Sequence, residues 1–337
     1  AASRGEEDFK STTRDVRGLI EGLKEEGVDG GVVDVRDDGG GSLGEANQLV
    51  GLFIETGATV QIRYSGIRNG FTRPFGDNDP EVSYTGPLAV LVNRTSASAS
   101  EIFAGAIQDY QRGLVVGSQT FGKGTVQEII PMDYGQVKLT RSKFYRISGE
   151  STQHRGVIPD ITFPDFYDAY DDIGESSLDG ALPWDTVRPV EYRAYHPIQA
   201  AVPELRSLHE ERAKTSPDFN YLLGQIERTR ELREREEISL NEEVVKQERE
   251  DARKEEFEAE NMRRALKGLP LEEWVEDEDI DEDSSDSLAS SDSEIVEPEE
   301  NEEETELDED DPLILESGRI LADYINLNGR RVSSVNN

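Results

Sequence analysis

Residues 87–127, PLAVLVNRTSASASEIFAGAIQDYQRGLVVGSQTFGKGTVQ, constrain the fold of this 337-residue chain more than any other stretch. The apolar run 88–92 is typical of a buried strand, residues 98–110 have the apolar spacing of a helix, and 114–117 is a second short apolar run. Parallel strands need a long connection such as a helix. The stretch therefore predicts a parallel crossover unit, with Ser98 and Lys123 on loops that follow its strands.

A similar unit is predicted upstream. The hydrophobic periodicity predicts helices over residues 15–26 and 43–54, and strands over 31–36 and 59–64. Three glycines at 39–41 separate the first of these strands from the second helix. We interpret strand, glycine loop and helix as a βα unit, with 59–64 as its returning strand.

The first half of the chain predicts one α/β domain. Residues 65–86 are polar and rich in glycine and proline, which is typical of a surface excursion. Residues 126–130 and 136–145 predict a pair of strands around a turn. We therefore expect residues 1–164 to form an α/β core with a mainly parallel sheet and crossover helices.

The second half has a different character. We expect a linker over 165–202 and a helical region over 203–271, which is dense in Glu and Arg with apolar residues on one face. The acidic, serine-rich run 272–311 has few apolar residues and is predicted to be disordered. Apolar periodicity returns over 312–337 and predicts a short helix that docks on the body, followed by a tail.

Composition excludes several kinds of function. The formal net charge is −37, from 73 acidic and 36 basic residues, which argues against a nucleic-acid partner because phosphate binding needs concentrated positive charge. There are no cysteines, so disulfides, thiolate metal sites and cysteine nucleophiles are excluded. The three histidines show no metal-ligand spacing, and we expect no metal or organic cofactor. No apolar run has the length of a membrane span, and the first residues lack a signal-peptide pattern.

Ser98 and Lys123 indicate a hydrolytic site. Open α/β sheets place their active sites at the carboxyl ends of the strands, where both residues are predicted to lie. A serine hydroxyl is a poor nucleophile until a base removes its proton, and a lysine amine can be that base when burial lowers its pKa. If Ser98 opens the helix, the N–H of Ala99 faces the developing oxyanion, and a glycine of 39–41 can offer a second N–H.

The same residues have simpler interpretations. Ser98 and Glu101 also match a capping box, in which the side chains only satisfy N–H groups at the start of a helix. Ser96 and Ser100 are rival nucleophiles that the residues alone do not exclude. Asp109 on the same helix can be a salt-bridge partner of Arg94 or Arg112.

Residues 117–123 meet most of the phosphate-binding pattern GxxxxGK[ST]. The pattern fails at Gly124, which stands where a serine or threonine would hold magnesium, and the predicted element after it is a strand instead of a helix. The sequence therefore disfavours nucleotide binding.

Four motifs, DVRDDGGGSLGEA, SASASEIFAGAIQDY, FGKGTVQ and KFYRISGESTQHRGVIPDI, closely resemble the tail-specific carboxyl-terminal processing proteases, a family of Ser-Lys peptidases; ALPWD at 181–185 extends the resemblance. The resemblance implies a crotonase-like protease core and assigns a role to each matching position: Ser98 as nucleophile, Lys123 as base, Gln127 as the residue that positions the lysine, Ala99 and Gly40 as oxyanion donors, and Asp109 as a supporting residue. Glu101, three residues after Ser98, is a further candidate for a supporting role.

The resemblance also implies the function. We expect a serine endopeptidase that cuts protein or peptide substrates near accessible C-termini through an acyl-enzyme, in the periplasm or on the periplasmic side of a membrane, with an adaptor protein as a possible partner. The family's PDZ domain and export signal are not in this sequence, so two outcomes stay open: a fragment that is active as it stands, and one that is inert until its upstream region is supplied. The alternative is a binding or scaffold module that uses its acidic surface.

Overall fold

The computed structural model describes residues 11–64, 71–170, 172–275 and 310–335. The chain divides into two compact units, one formed by Ala1–Arg233 with Asp311–Asn337 and the other by Glu234–Asp310. Most of the acidic run that was predicted to be disordered, residues 276–309, lies outside the described residues.

The first unit contains eight described strands and six described α-helices. The strands are β1 (Gly31–Asp34), β2 (Gly57–Tyr64), β3 (Phe71–Asp77), β4 (Leu88–Val92), β5 (Leu114–Gly117), β6 (Thr125–Pro131), β7 (Gln136–Tyr145) and β8 (Ile161–Thr162). The helices of the chain are α1 (Thr12–Glu26), α2 (Leu43–Gly51), α3 (Ala99–Asp109), α4 (Val202–Thr215), α5 (Pro217–Arg233), α6 (Glu242–Lys267) and α7 (Pro312–Val335), of which α6 belongs to the second unit.

The first sheet is parallel throughout, with strand order β1-β4-β5-β8. All residues of its central strand β4 are buried. Because successive side chains of a strand point to opposite faces, both faces of the sheet are covered at β4. One face packs on α2 and α3, and the other packs on α4 and α7. The predicted α/β fold with a parallel sheet and crossover helices is confirmed, and β4, α3 and β5 form the predicted crossover.

The second sheet is antiparallel, with strand order β3-β2-β7-β6. Its inner face buries Val60, Ile62 and Phe144 against Ile102 of α3. The prediction that residues 59–64 return as a parallel strand is wrong, because β2 pairs with β3 and β7. Within the predicted surface excursion, residues 71–77 form a strand that was not predicted, β3, which is largely exposed at the sheet edge, where a strand tolerates Pro74.

The C-terminal helix α7 packs against the parallel sheet, with Ile320, Leu321 and Tyr324 buried in the same core as Leu205 of α4. In the second unit, α6 buries none of its residues. Within the described ranges, none of the helices combines the length and the apolar character that crossing a membrane requires.

Candidate active site

Ser98 stands on a strained turn between β4 and α3. It is the N-cap residue of α3 and has φ 56° and ψ −108°, a conformation that non-glycine residues rarely adopt. Such strain persists only where the surroundings hold it, and it is most common at functional sites. Here the turn is held by Ser96, whose Oγ donates to the carbonyl of Val35 at 2.7 Å, and by the N–H of Ala97, which donates to the carbonyl of Asp38 at 2.9 Å.

The structure separates Ser98 from its two rivals. Ser96 is 0% exposed and Ser100 is 3% exposed, and each hydroxyl donates to a backbone carbonyl, that of Val35 and Asp38 respectively. Ser98 instead is half-buried and lines an open cleft. Of the three serines, Ser98 is the one that a substrate in this cleft can reach.

The cleft has a volume of about 440 Å³ and lies between the glycine loop, the start of α3 and the hairpin β6–β7. It brings together five of the seven residues that the sequence assigned to the site. These five are Ser98, Ala99, Gly40, Lys123 and Gln127. Glu101 lies beneath the cleft, and Asp109 is not among the lining residues.

Gly40 approaches the Ser98 turn closely. It has φ 89°, and a Cβ atom placed on it would lie 2.5 Å from the carbonyl oxygen of Ala97 and 2.6 Å from the nitrogen of Ala99. Only glycine fits that contact. The N–H of Gly40 donates to Oδ1 of Asp38 at 2.9 Å, so it does not point freely into the cleft in this conformation.

Lys123 lies on the loop between β5 and β6 and is half-buried. Among the described residues, its Nζ atom makes neither a hydrogen bond nor an ion pair, so the structure contains no Ser98–Lys123 hydrogen bond. Gly124 leads directly into strand β6, and the N–H groups of Gly122 and Lys123 both donate to Glu101. These N–H groups are therefore not available to a phosphate, which agrees with the rejection of the phosphate-loop interpretation.

Glu101 joins the serine turn to the lysine loop. Its side chain is fully buried and accepts four hydrogen bonds, from the N–H groups of Ser98 (2.8 Å), Gly122 (2.8 Å) and Lys123 (2.9 Å) and from the hydroxyl of Thr120 (2.6 Å). Burial raises the pKa of Glu101 to about 7, while the four hydrogen bonds favour the charged form. The Glu101 half of the capping box is thus formed, and the same carboxyl group also fixes two loops relative to each other.

Gln127 and Asp109 occupy very different positions. Gln127 is exposed on β6 and lines the cleft beside Lys123. Asp109 is the last residue of α3, about 16 Å along the helix axis from Ser98. Its carboxylate pairs with Arg146 at 2.5 Å, and the two side chains are 7% and 13% exposed.

The sequence suggested Arg94 or Arg112 as the partner of Asp109, and that prediction is wrong. The guanidinium of Arg94 donates to the carbonyls of Thr120 and Ile173. Arg112 donates to three other carbonyls, those of Phe53, Tyr84 and Gly86. Both arginines are committed to backbone oxygens, which leaves Arg146 of the neighbouring segment to pair with Asp109.

Sequence reasoning missed two residues that contact this site. Asp38 holds the Gly40 N–H, and the 0% exposed side chain of Gln153 accepts a hydrogen bond from the N–H of Gly124 at 2.9 Å. Gln153 lies inside one of the motifs that carry the family resemblance, but no spacing rule links it to the lysine loop. In the described ranges, no three His, Cys, Asp or Glu side chains cluster closely enough to hold a metal ion.

Two family models match consecutive regions of the chain. Residues 7–163 match the model of Peptidase family S41, and the chain belongs to that family of serine peptidases. Residues 169–326 match the model described as the C-terminal domain of tail specific protease. The chain therefore combines an S41 peptidase core with the C-terminal domain that marks the tail-specific proteases.

Individual relatives carry related names. The chain is 40% identical over 256 residues to the tail-specific protease of Haemophilus influenzae, covering 72% of this chain and 36% of that protein. It is 37% identical over 181 residues to the carboxy-terminal-processing protease of Bartonella bacilliformis, covering 52% of this chain and 41% of that protein. The solved photosystem II D1 C-terminal processing protease is 36% identical, with 45% and 39% of the two chains covered and a TM-score of 0.40. The chain thus matches less than half the length of each of these proteins.

Proposed function

We propose that this chain carries the catalytic site of a serine endopeptidase that cleaves protein substrates near their C-termini, with Ser98 as nucleophile and Lys123 as base. One observation carries the proposal: Ser98, on its strained turn, and Lys123 line the same cleft with Ala99 and Gln127. Membership of peptidase family S41 and the named processing proteases among its relatives support the choice of peptide bonds as substrate.

The chemistry follows the general scheme for an activated serine. The neutral amine of Lys123 takes the proton of Ser98 Oγ as this oxygen attacks the carbonyl carbon of the substrate. The resulting ammonium gives the proton to the leaving amine, and the acyl group stays on Ser98 as an ester. Lys123 then deprotonates a water molecule that attacks the ester, which releases the acid and restores the Ser98 hydroxyl.

The Ala99 N–H is the first oxyanion donor in this proposal. It is the first N–H of α3, and within the described part of the chain no acceptor is hydrogen-bonded to it. The positive end of the helix dipole adds to its effect on a developing negative charge. Gly40 is the second donor, and it can act only after its N–H leaves Asp38.

Two movements complete the proposed site. The Lys123 amine has to come within hydrogen-bond reach of Ser98 Oγ, and we propose that Gln127, which lines the same cleft, orients it. The Gly40 N–H has to exchange the Asp38 carboxylate for the substrate oxygen. Catalytic hydrogen bonds often form only in the substrate complex, so both movements are compatible with the proposed roles.

The test is cleavage of an unstructured peptide that ends in small apolar residues, followed by mass spectrometry. We expect the wild-type chain to cut near the peptide's C-terminus and Ser98→Ala to be inactive. Ser207→Ala, which changes an exposed serine on α4, is the control and should cleave like the wild type. Equal cleavage by Ser98→Ala and the wild type would overturn the proposal.

A second candidate function rests on the charge of −37, which suits a binding or scaffold module. It predicts association with the peptide that weakens as salt rises, without cleavage. Protein substrates, an adaptor and a location in the periplasm, or at the membrane on its periplasmic side, remain predictions from the family resemblance.

A further inference from the structure

We propose that Gln153 and Glu175 form a buried positioning pair that fixes the backbone of the Lys123 loop, and through it the place of the Lys123 amine. The inference deepens the proposed function and rests on it, because it concerns the same site. Neither residue lines the cleft, so both act through the loop and not on the substrate.

The Lys123 loop is held by its backbone alone. The Lys123 side chain has no hydrogen-bond or ion-pair partner among the described residues. The backbone of residues 121–124 therefore determines the position from which the side chain extends into the cleft. Every one of these four residues is tied by hydrogen bonds of 2.8–3.0 Å. The backbone hydrogen-bond partners are Ser96 and Glu175 for Phe121, Glu101 and His154 for Gly122, Glu101 for Lys123, and Gln153 and Phe144 for Gly124.

Gln153 holds the exit of the loop. Its Oε1 accepts the N–H of Gly124 at 2.9 Å, immediately before strand β6 begins at Thr125. A Cβ atom on Gly124 would lie 2.6 Å from the backbone nitrogen of Gln153, so the glycine is needed for this approach. The contact therefore fixes both the end of the lysine loop and the start of the strand that carries Gln127.

Glu175 fixes which way the Gln153 amide points. Its buried Oε1 accepts from Nε2 of Gln153 at 2.8 Å. Because the carboxyl oxygen of Glu175 accepts this hydrogen bond, the amide turns its NH₂ group to Glu175 and its oxygen to Gly124. The backbone of Glu175 adds a second tie, since its N–H donates to the carbonyl of Phe121 at 2.9 Å.

The pair links the two parts of the chain that match separate family models. Gln153 belongs to the S41 region and Glu175 to the region that matches the C-terminal domain of tail specific protease. Positioning errors of about 1 Å in a catalytic group can cost about a hundredfold in rate. We therefore infer that the C-terminal region contributes to catalysis through this buried pair.

A charge-swap experiment on the full chain tests the pair. Gln153→Glu places two carboxylates face to face, and we expect kcat to fall by about tenfold to a hundredfold with KM nearly unchanged. Glu175→Gln alone leaves an amide oxygen to accept from Gln153, and we expect a loss of about threefold or less. In the double variant, the amide at 175 donates to the carboxylate at 153, which still accepts from Gly124, so kcat should recover to within about threefold of the wild type.

The control is Gln119→Glu, which makes the same change on an exposed residue of the same loop and should leave kcat unaltered. Hydrogen exchange at the Gly124 N–H provides a readout that does not depend on activity. We expect protection in the wild type, loss of protection in Gln153→Glu and recovery in the double variant.

Two outcomes overturn the inference: unchanged kcat in folded Gln153→Glu, or a double variant no better than Gln153→Glu. A failure of the proposed function gives a different result: the wild type and Ser98→Ala would then show the same peptide cleavage. Hydrogen exchange at the Gly124 N–H would still report on the contact with Gln153. A purely structural role would lower the thermal midpoint of Gln153→Glu without a change in kcat per folded molecule.

Discussion

Glu101 accepts the backbone N–H of Ser98 at 2.8 Å and that of Lys123 at 2.9 Å on the same oxygen, Oε2. The proposed nucleophile and the proposed base lie 25 positions apart in the sequence, yet one carboxylate oxygen is bonded to the backbone of both. The site is thus organised around a buried carboxyl group that lies beneath the cleft. Its state of protonation bears on the geometry of both loops.

Glu101 makes the stability of the fold depend on pH in a defined direction. Its pKa rises from 4.5 to about 7 on folding, so the folded chain holds this proton more tightly than the unfolded chain. The contribution of this proton to the free energy of unfolding is fully present below pH 4.5 and is lost as pH rises through 7. The total loss is about 3 kcal/mol.

Comparison of the wild type with Glu101→Gln isolates this effect, because other groups titrate alike in both proteins. The free energy of unfolding of the wild type minus that of the variant should fall as pH rises from 5 to 8, measured by urea denaturation. Glu128→Gln, on exposed β6, is the control and should show no such trend. A pH-independent difference for Glu101→Gln would contradict the prediction.

Gly40→Ala should damage both the fold and the site. The new methyl group would meet the backbone of Ala97 and Ala99 within 2.6 Å, and a φ of 89° is unfavourable for alanine. We expect a loss of at least about 1 kcal/mol in stability and no detectable cleavage. Gly39→Ala is the matched control, because open space surrounds its Cβ position and its φ is not positive. Thermal unfolding and peptide cleavage of the two variants should therefore differ sharply, and similar behaviour would refute the close contact.

Asp109→Ala should act through stability. Its partner Arg146 is 13% exposed, and removal of one member of a buried ion pair typically costs about 3–5 kcal/mol. We expect a lower thermal midpoint but nearly normal kcat per folded molecule. The double variant Asp109→Ala with Arg146→Met should recover part of the lost stability, because no charge is left unpaired. A folded Asp109→Ala protein with strongly reduced kcat would instead assign Asp109 a part in catalysis.

Local patterns were enough to predict the crossover unit. The strands at 88–92 and 114–117 have the predicted bounds, because a short, wholly apolar run between turn residues has few other ways to bury itself. The second sheet could not be predicted in the same way. Residues 59–62 of strand β2 are buried in succession, and its partner β7 lies about 80 residues away, so nothing local specifies the pairing.

In the candidate site too, the residues in local motifs could be predicted and the long-range contacts could not. Ser98, Lys123 and Gln127 stand in compact motifs, and the structure brings them to one cleft. The contacts between residues that lie far apart in the sequence could not be predicted. Asp109 pairs with Arg146, and Gln153 accepts a hydrogen bond from Gly124, 29 positions away. No periodicity or spacing encodes such contacts, because they arise only when separate segments pack together.

The most direct test of the Ser98–Lys123 mechanism is the rate at which a small fluorophosphonate modifies the chain, followed by intact mass and by mapping of the labelled peptide. This reagent reports the activated serine without the need to recruit a protein substrate. We expect a single adduct on Ser98, which forms more slowly by a factor of about 10²–10⁴ in Lys123→Ala. Lys138→Ala, which changes another lysine of the same cleft, should react like the wild type. An adduct on Ser96 or Ser100, or a Lys123→Ala variant that reacts as fast as the wild type, would contradict this mechanism.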